Sequence, residues 1–560
     1  MKRLGLSLIA GLLASCSGTT AGPAATATAA APTAAYDILI TNGLIYDGSG
    51  AAPYRGEVGI KGDRITFVGA QAPAGAVTSI DAGGKAVAPG FINMLSHSRE
   101  ALLHDGRAMA GVLQGVTLEV NSESSLAPLT DGMRKLRESR QGDIKVPITW
   151  STLGGYFDAL ENSGVSLNVA SFIAAGSIRE NVLGLTDVDP TPAQLDAMRG
   201  LVRAAMHDGA MGVATMLIYI PETYAETPEL VALAGAAAQC GGTYAAHIRD
   251  EGDTLIEALE ESAEIGRQAK IPVHVHHLKQ SDPENWGKLD AAIATIERAR
   301  ASGVAMTADM YTYPASGTGA NSMLPAWVQE GGLEATIARL KDPAVRKRAA
   351  PELDMPGNDP ANILFSGFKN DALKPLTGKR LSEVMAMRGT SAAETVMDLI
   401  VEDNSRVNTI FFAMSEDNVR RQTALPWVAF GSDAAALTAE GAVLKSATHP
   451  RAYGNVARLL GKYVREEKTM LLEEAVRKLT SLPASILHLN DRGALRPGMF
   501  ADVVVFDPAT VADHATFADP HRYSTGVSDL WVNGVQVVKA GAHTGAKPGR
   551  AVKGRGCQQF

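Results

Sequence analysis

The sequence predicts an α/β fold: a barrel of alternating strands and helices, joined to a small β-module built from both ends of the chain. The first observation is the stretch Thr243 to Lys279, where two short apolar runs lead into His247 and His277. Between them, Leu255 to Ala269 is acidic, with apolar residues at helical spacing. Strand, helix, strand is the unit of a parallel sheet, and it brings the two histidines side by side at the strand ends. The second observation is that histidines and carboxylates recur at several strand ends, with no Gly-rich phosphate loop, which favours a barrel over a doubly wound sheet. The third is that β-branched runs with Asn-Gly and Gly-Asp turns occur near both termini, each set too small to stand as a sheet alone.

Taken in order, the chain opens with Lys2, Arg3 and an apolar run from Leu4 to Leu13 that ends in Leu-Ala-Ser-Cys. That run is too short to span a bilayer and reads as a signal peptide over residues 1–16. Its ending resembles the bacterial lipoprotein cleavage box, so Cys16 is expected to become the lipidated first residue; ordinary cleavage elsewhere is the alternative. Residues 17–35 are mostly Ala, Thr, Pro and Gly and are expected to be a disordered tether. These features predict an exported protein, lipid-anchored on the periplasmic or cell-surface side of a bacterial membrane. Cys240 and Cys557 are then expected to be free thiols, because three cysteines provide no disulfide framework.

Residues 36–88 and 491–555 supply the two halves of the β-module, with the barrel at 89–490 between them. Val87 to His97 reads as its first strand and Gly115 to Glu123 as its second. Gln194 to His207 is helical, Gly209 to Met216 a strand, and Pro228 to Cys240 a helix stopped by Gly241 and Gly242. Val304 to Tyr311 and Trp427 to Asp433 supply later strands. The charged stretch near 323–362 lacks a strand signal and is expected to be an insertion that covers the site. A net charge of -8 argues against a nucleic-acid surface. A hydrophobic content of 46% describes an ordinary core, leaving a small molecule as the expected ligand.

One strand-end histidine is usually a hydrogen-bonded structural residue, whereas a matched pair points to a metal. His274 and His276 alternate beside the pair and are expected to be wall or supporting residues.

The ordered motifs then carry a resemblance. They are Ala88-Pro-Gly-Phe-Ile, Gly115-Val-Thr, Leu217-Ile-Tyr-Ile-Pro, Ala246-His-Ile-Arg-Asp-Glu and His277-Leu-Lys, followed by Ala308-Asp-Met-Tyr, Gly431-Ser-Asp, His449-Pro-Arg, Arg492-Gly-Ala-Leu-Arg-Pro-Gly and Ala501-Asp-Val-Val-Val-Phe-Asp. Over about residues 36 to 555 the chain resembles the N-acyl-D-amino-acid deacylases (D-aminoacylases) of the amidohydrolase superfamily. The resemblance implies a (β/α)8 TIM-type barrel with a composite β-sandwich, zinc, and hydrolysis of the amide bond of N-acyl-D-amino acids or related D-peptides. Two rival expectations are an amidohydrolase of cyclic or dipeptide-type amides and a surface lipoprotein that binds without catalysis.

It also implies site residues. Glu123, His247 and His277 match the tighter metal site, with Glu119 as the fallback for Glu123. The first strand of the family usually ends in His-x-His, but here Leu95 replaces one of the pair, so one tight Zn2+ is expected and His97 holds any second ion only weakly. Asp433 is expected to move the proton. Tyr219, Lys279, Tyr311 and Arg451 are expected to bind the substrate carboxylate or carbonyl. Residues 313–327 carry no Lys or Arg, which predicts a neutral or apolar substrate side chain.

Overall fold

The computed structural model describes residues 35–123, 126–353 and 359–557. Cys16 and the expected tether lie outside them. Eight parallel strands position the site: β1 (Phe91–Ser96), β2 (Val116–Asn121), β3 (Asn168–Ser171, resumed after Phe172 as Ile173–Ala174), β4 (Gly212–Met216), β5 (Thr243–His247), β6 (Val273–Val275), β7 (Met306–Met310) and β8 (Val428–Phe430). β1, β2 and the first part of β3 form one parallel sheet; the second part of β3 leads the parallel series β4 to β8. The two sheets meet at a parallel bridge between Ser96 and Ala434, beside which Asp433 N donates to Leu95 O at 2.9 Å.

The expected helix Leu255–Ala269 forms with those bounds and buries Leu255, Leu259 and Ile265, so β5 and β6 lie parallel as their spacing requires. Helix Pro192–Asp208 starts at a capping box of Thr191 and Gln194 with Pro192 in its first turn, which satisfies backbone donors the helix leaves open. One expected strand is divided. The run from Val87 to His97 breaks at Gly90, where a Cβ would fall 2.2 Å from Thr117 Oγ1. Before that glycine, Ala86–Pro89 pairs antiparallel with Val503–Phe506; after it, β1 joins β2.

That antiparallel pairing joins both chain ends in one nine-stranded sheet, packed around Ile40, Val58, Val87, Val503 and the fully buried Trp531. The segment between β7 and β8 makes a separate layer that extends beyond the expected 323–362. Strands Ser316–Gly319, Ile363–Gly367 and Asn408–Phe411 form an antiparallel sheet. Helices such as Ala392–Asp403 pack on it around Phe365, Val396 and Ile400.

The free-thiol expectation is corrected: Cys240 and Cys557 form a disulfide across 317 residues. The reason is tertiary. After the nine-stranded sheet, the C-terminal segment crosses the N-terminal ends of the parallel strands, with Val552 N bonded to Val169 O and Gly554 N to Gly209 O. Val552 packs with Met94, Val120 and Phe172, and Cys557 arrives at the helix end that carries Cys240. Among the described residues, no helix is long and apolar enough to cross a membrane.

Candidate active site

Every expected metal, catalytic and substrate residue except Arg451 lies at or just beyond the C-terminal end of a parallel strand, and Arg451 opens the helix Arg451–Arg458. Three of them have left-handed backbone: Glu123 (φ 45°), His277 (φ 35°) and Asp433 (φ 48°). Such conformations are unfavourable for residues with a Cβ and concentrate where a side chain must be aimed.

Glu123, His247 and His277 converge, with one potential ligand atom from each lying within 4.8 Å of the others. Glu123 Oε1 is 2.9 Å from His277 Nε2, and Glu123 Oε2 is 3.6 Å from His247 Nδ1. All three side chains are buried, yet Glu123 Oε1 and both His247 nitrogens make no hydrogen bond. Buried polar atoms left open are costly, and a cation would satisfy these. A carboxylate and two imidazoles are a donor set that suits zinc. Glu119, the alternative, is not among the converging residues; its Oε2 accepts bonds from Asn93 and Ser98 (3.1 Å each).

A second cluster shares Glu123, bringing it together with His97 and Asp433. His97 Nε2 lies 2.8 Å from Asp433 Oδ1, and Arg451 Nη2 lies 2.8 Å from Asp433 Oδ2. Burial opposes ionisation of Asp433, but the Arg451 guanidinium and the His97 hydrogen bond prevail and hold its pKa at about 2. Leu95 contributes no ligand and packs against Gly431. Arg451 is buried, and its Nε and Nη1 donors are unused. Its guanidinium lies over the Tyr311 ring at 4.4 Å. Burial pushes the Tyr219 hydroxyl up to about 12 and raises that of Tyr311 well above its ordinary value, so both phenols keep their protons at neutral pH.

The Lys279 ammonium is buried against Glu251 and lies 2.7 Å from His277 Nδ1. Glu251 was not singled out from sequence, although it stands four residues after His247; its Oε1 is 2.9 Å from His277 Nδ1. A carboxylate on the outer nitrogen of a ligating histidine orients the ring.

Asp309 is a second such residue. Oδ2 takes His274 Nε2 (2.9 Å) and His276 Nδ1 (2.8 Å), while Oδ1 accepts the backbone N–H of His277 (2.8 Å). His276 Nε2 in turn reaches Ser122 Oγ at 2.7 Å, next to Glu123. One buried carboxylate thus braces two of the three cradle residues. Both nitrogens of His274 and of His276 have protein partners, Asp309 for one and Thr307 or Ser122 for the other, so the supporting role expected for both histidines fits the cluster better than a metal site. The alternation of His274 and His276 was the available signal. His449, also missed, donates from Nε2 to Ala315 O and accepts the Arg451 N–H at Nδ1.

Strand ends carrying three converging potential metal ligands, an ionised carboxylate and a buried arginine with unused donors are an arrangement that suits metal-assisted hydrolysis. The amidohydrolase family model matches residues 78–538. Over 92% of its length the chain is 33% identical to a D-aminoacylase of Alcaligenes xylosoxydans xylosoxydans, covering 97% of that protein. It is 32% identical to the N-acyl-D-glutamate deacylase of the same organism, over 92% of this chain and 96% of the relative. The structure of an N-acyl-D-glutamate deacylase from Bordetella bronchiseptica, complexed with zinc and a phosphonate mimic of the tetrahedral intermediate, superposes with a TM-score of 0.77 at 31% identity. That likeness covers 92% of this chain and 99% of the other. A D-aminoacylase described by one-metal activation and second-metal attenuation of its binuclear centre also gives 0.77 at 31% identity, with the same coverage. The chain belongs to the amidohydrolase family and is a hydrolase of amide bonds.

Proposed function

We propose that the protein is a zinc-dependent deacylase that cleaves N-acyl-D-amino acids, or related D-peptides, to a carboxylate and a free D-amino acid. The observation that carries this is the buried cradle of Glu123, His247 and His277, whose open atoms stand beside an arginine with unused donors. Relatives with D-aminoacylase and N-acyl-D-glutamate deacylase activity, matched over nearly their whole length, support the substrate class. Glu123, His247 and His277 would hold the zinc ion, which would supply Lewis acidity toward the scissile carbonyl and lower the pKa of water to near neutral pH. Arg451 offers its unused Nε and Nη1 donors as charge-assisted hydrogen bonds to the α-carboxylate, with the Tyr311 ring beneath the guanidinium. Tyr219 and Tyr311, both protonated, offer hydrogen bonds to the substrate carbonyl and carboxylate. Asp433, kept ionised by Arg451 and His97, accepts the proton of the attacking water and returns it to the departing amine.

One tight ion is the expected stoichiometry, since Leu95 leaves His97 as the sole first-strand ligand; His97, Glu123 and Asp433 form the weaker site. The architecture is read as a closed (β/α)8 barrel with a composite β-sandwich. The Ser96–Ala434 bridge supports that closure. An oxidising compartment is where disulfides persist, so the Cys240–Cys557 pair supports export, with Cys16 as the lipid anchor. Cys16→Ala is expected to release the protein from membranes with catalysis intact, and identical membrane partitioning would reject the anchor.

Elemental analysis after dialysis, together with a panel of racemic N-acetyl amino acids, tests the assignment. We expect about one zinc per chain and release of the D-amino acid alone. Two retained metals would overturn the single-ion assignment. A zinc-loaded protein inactive on the whole panel would identify a binding protein instead.

A further inference from the structure

A side-chain subsite built only from residues 313–327 is uncharged, because that stretch has no lysine or arginine. The fold brings a cation to it from elsewhere. Arg406 lies in the covering layer between helix Ala392–Asp403 and strand Asn408–Phe411. It reaches back to the stretch itself: Nη2 donates to Thr318 Oγ1 at 3.2 Å and Nε to Asn321 Oδ1 at 3.1 Å.

These contacts place the guanidinium beside the reaction centre. Its carbon lies 5.1 Å from the centroid of the Tyr219 ring, and the Tyr219 hydroxyl bonds Thr318 Oγ1 at 2.6 Å. The same ring stands edge-on to His247 with centroids 5.6 Å apart. Arg406 is therefore one aromatic ring away from the metal cradle. Strand Ser316–Gly319, on which it rests, also touches the other cationic residue of the site, since Arg451 Nη2 reaches Gly317 O at 3.4 Å.

The two arginines differ in one respect. Arg451 already faces Asp433, whereas Arg406 is exposed and has no carboxylate partner among the described residues. Its orientation is set by Thr318, Asn321 and Tyr219, while Nη1 makes no hydrogen bond to the described residues. A preoriented guanidinium with an unused donor is matched by a second carboxylate in the ligand.

We propose that Arg406 forms the substrate side-chain subsite and selects N-acyl-D-amino acids whose side chain ends in a carboxylate. This rests on the deacylase reading and reverses the expectation of a neutral or apolar side chain. Arg451 and Arg406 hold the α- and side-chain carboxylates of one dicarboxylic substrate, with Tyr219 between Arg406 and the cradle. Because Arg406 is exposed, the preference weakens as salt screens the pair.

The test compares kcat/KM for N-acetyl-D-glutamate with that for the isosteric N-acetyl-D-glutamine, in the zinc-loaded parent, Arg406→Gln and Arg406→Lys. Bound zinc and circular dichroism confirm that each variant is folded. We expect the parent to favour the glutamate compound by about tenfold or more at low salt. Arg406→Gln brings the ratio close to one, Arg406→Lys keeps only the part due to charge alone, and rising ionic strength lowers the ratio in the parent. A parent with no preference for glutamate, or an Arg406→Gln ratio equal to the parent's, overturns the subsite while leaving the deacylase assignment in place. A parent that hydrolyses neither these amides nor any other N-acyl-D-amino acid removes that assignment, and the subsite falls with it.

Discussion

Asp433 and His247 occupy one constellation, yet their replacement is expected to fail in different ways. Asp433 stands outside the three-ligand cradle, so Asp433→Asn should keep fold and tight metal while losing about 10²–10⁴-fold or more in turnover, the range of general acid-base catalysis. His247→Ala leaves two protein ligands and should lose metal as well as activity. Measuring bound zinc and hydrolysis of an N-acetyl-D-amino acid for both variants separates the roles. Normal turnover by Asp433→Asn would reject the proton transfer assigned to it. Lys478 gives a residue-scale test of stability. It is fully buried, its ammonium bonded to Thr423 O, and burial lowers its pKa to about 7. The unfolded chain, with an ordinary lysine pKa near 10.4, binds more protons between pH 7 and 10, so stability rises with pH across that window and is flat below it. Lys478→Met should therefore gain most in Tm over the parent at pH 7 and least at pH 10; an advantage that does not shrink between those values would contradict the burial of the charge.

At the scale of elements, the cradle depends on the register of adjacent strands. Asp309 on β7 holds the His277 backbone directly and reaches Ser122, at the end of β2, through His276. Outer partners of metal ligands typically contribute about 10- to 100-fold in affinity, and Asp309→Asn should weaken zinc binding by that order. Ser122→Ala removes only the far end of the chain and should cost less. Chelator competition gives the affinities, and thermal melts of the metal-free proteins show whether the fold is also affected. Equal loss of stability with unchanged zinc affinity would make Asp309 a fold residue only. Strand Ser316–Gly319 and the segment carrying Arg406 belong instead to the layer between β7 and β8, from which the proposed side-chain subsite is drawn, whereas the candidate cradle comes from the parallel strands.

At the scale of the molecule, the C-terminal segment fastens parts that lie far apart in the chain. It leaves the nine-stranded sheet, crosses the N-terminal ends of β3 and β4, and ends at the disulfide with Cys240. Cross-linking so long a loop restricts the unfolded chain, and its loss is expected to cost about 2–4 kcal/mol. Cys557→Ala, or reduction of the parent, should lower Tm with little change in activity, because the bond lies at the strand ends opposite the site. Identical melting with and without reductant would show that the segment is held by its backbone pairing alone.

Local chemistry made much of this protein legible before folding. Helix Leu255–Ala269 and the two strands beside it follow from periodicity, because burial of one face imposes its spacing on the residues. His247 and His277 are visible because parallel strands joined by a helix must end side by side. Glu123 and Asp433 became candidates through ordered motifs rather than through spacing. Proximity between distant residues has no local signature. The Cys240–Cys557 bond joins a helix end to a tail 317 residues away. Lys279 stands two residues after His277 in the chain, but its pairing with Glu251, 28 residues away, is a meeting in space, where a buried ammonium calls for a carboxylate partner. Arg406 reaches Thr318 from 88 residues away, so a stretch that reads as uncharged in sequence carries a cation in space. Periodicity and motif order determined the elements and most of the cradle; tertiary packing alone decided which charges meet, because electrostatic partners are selected by distance through space and not along the chain.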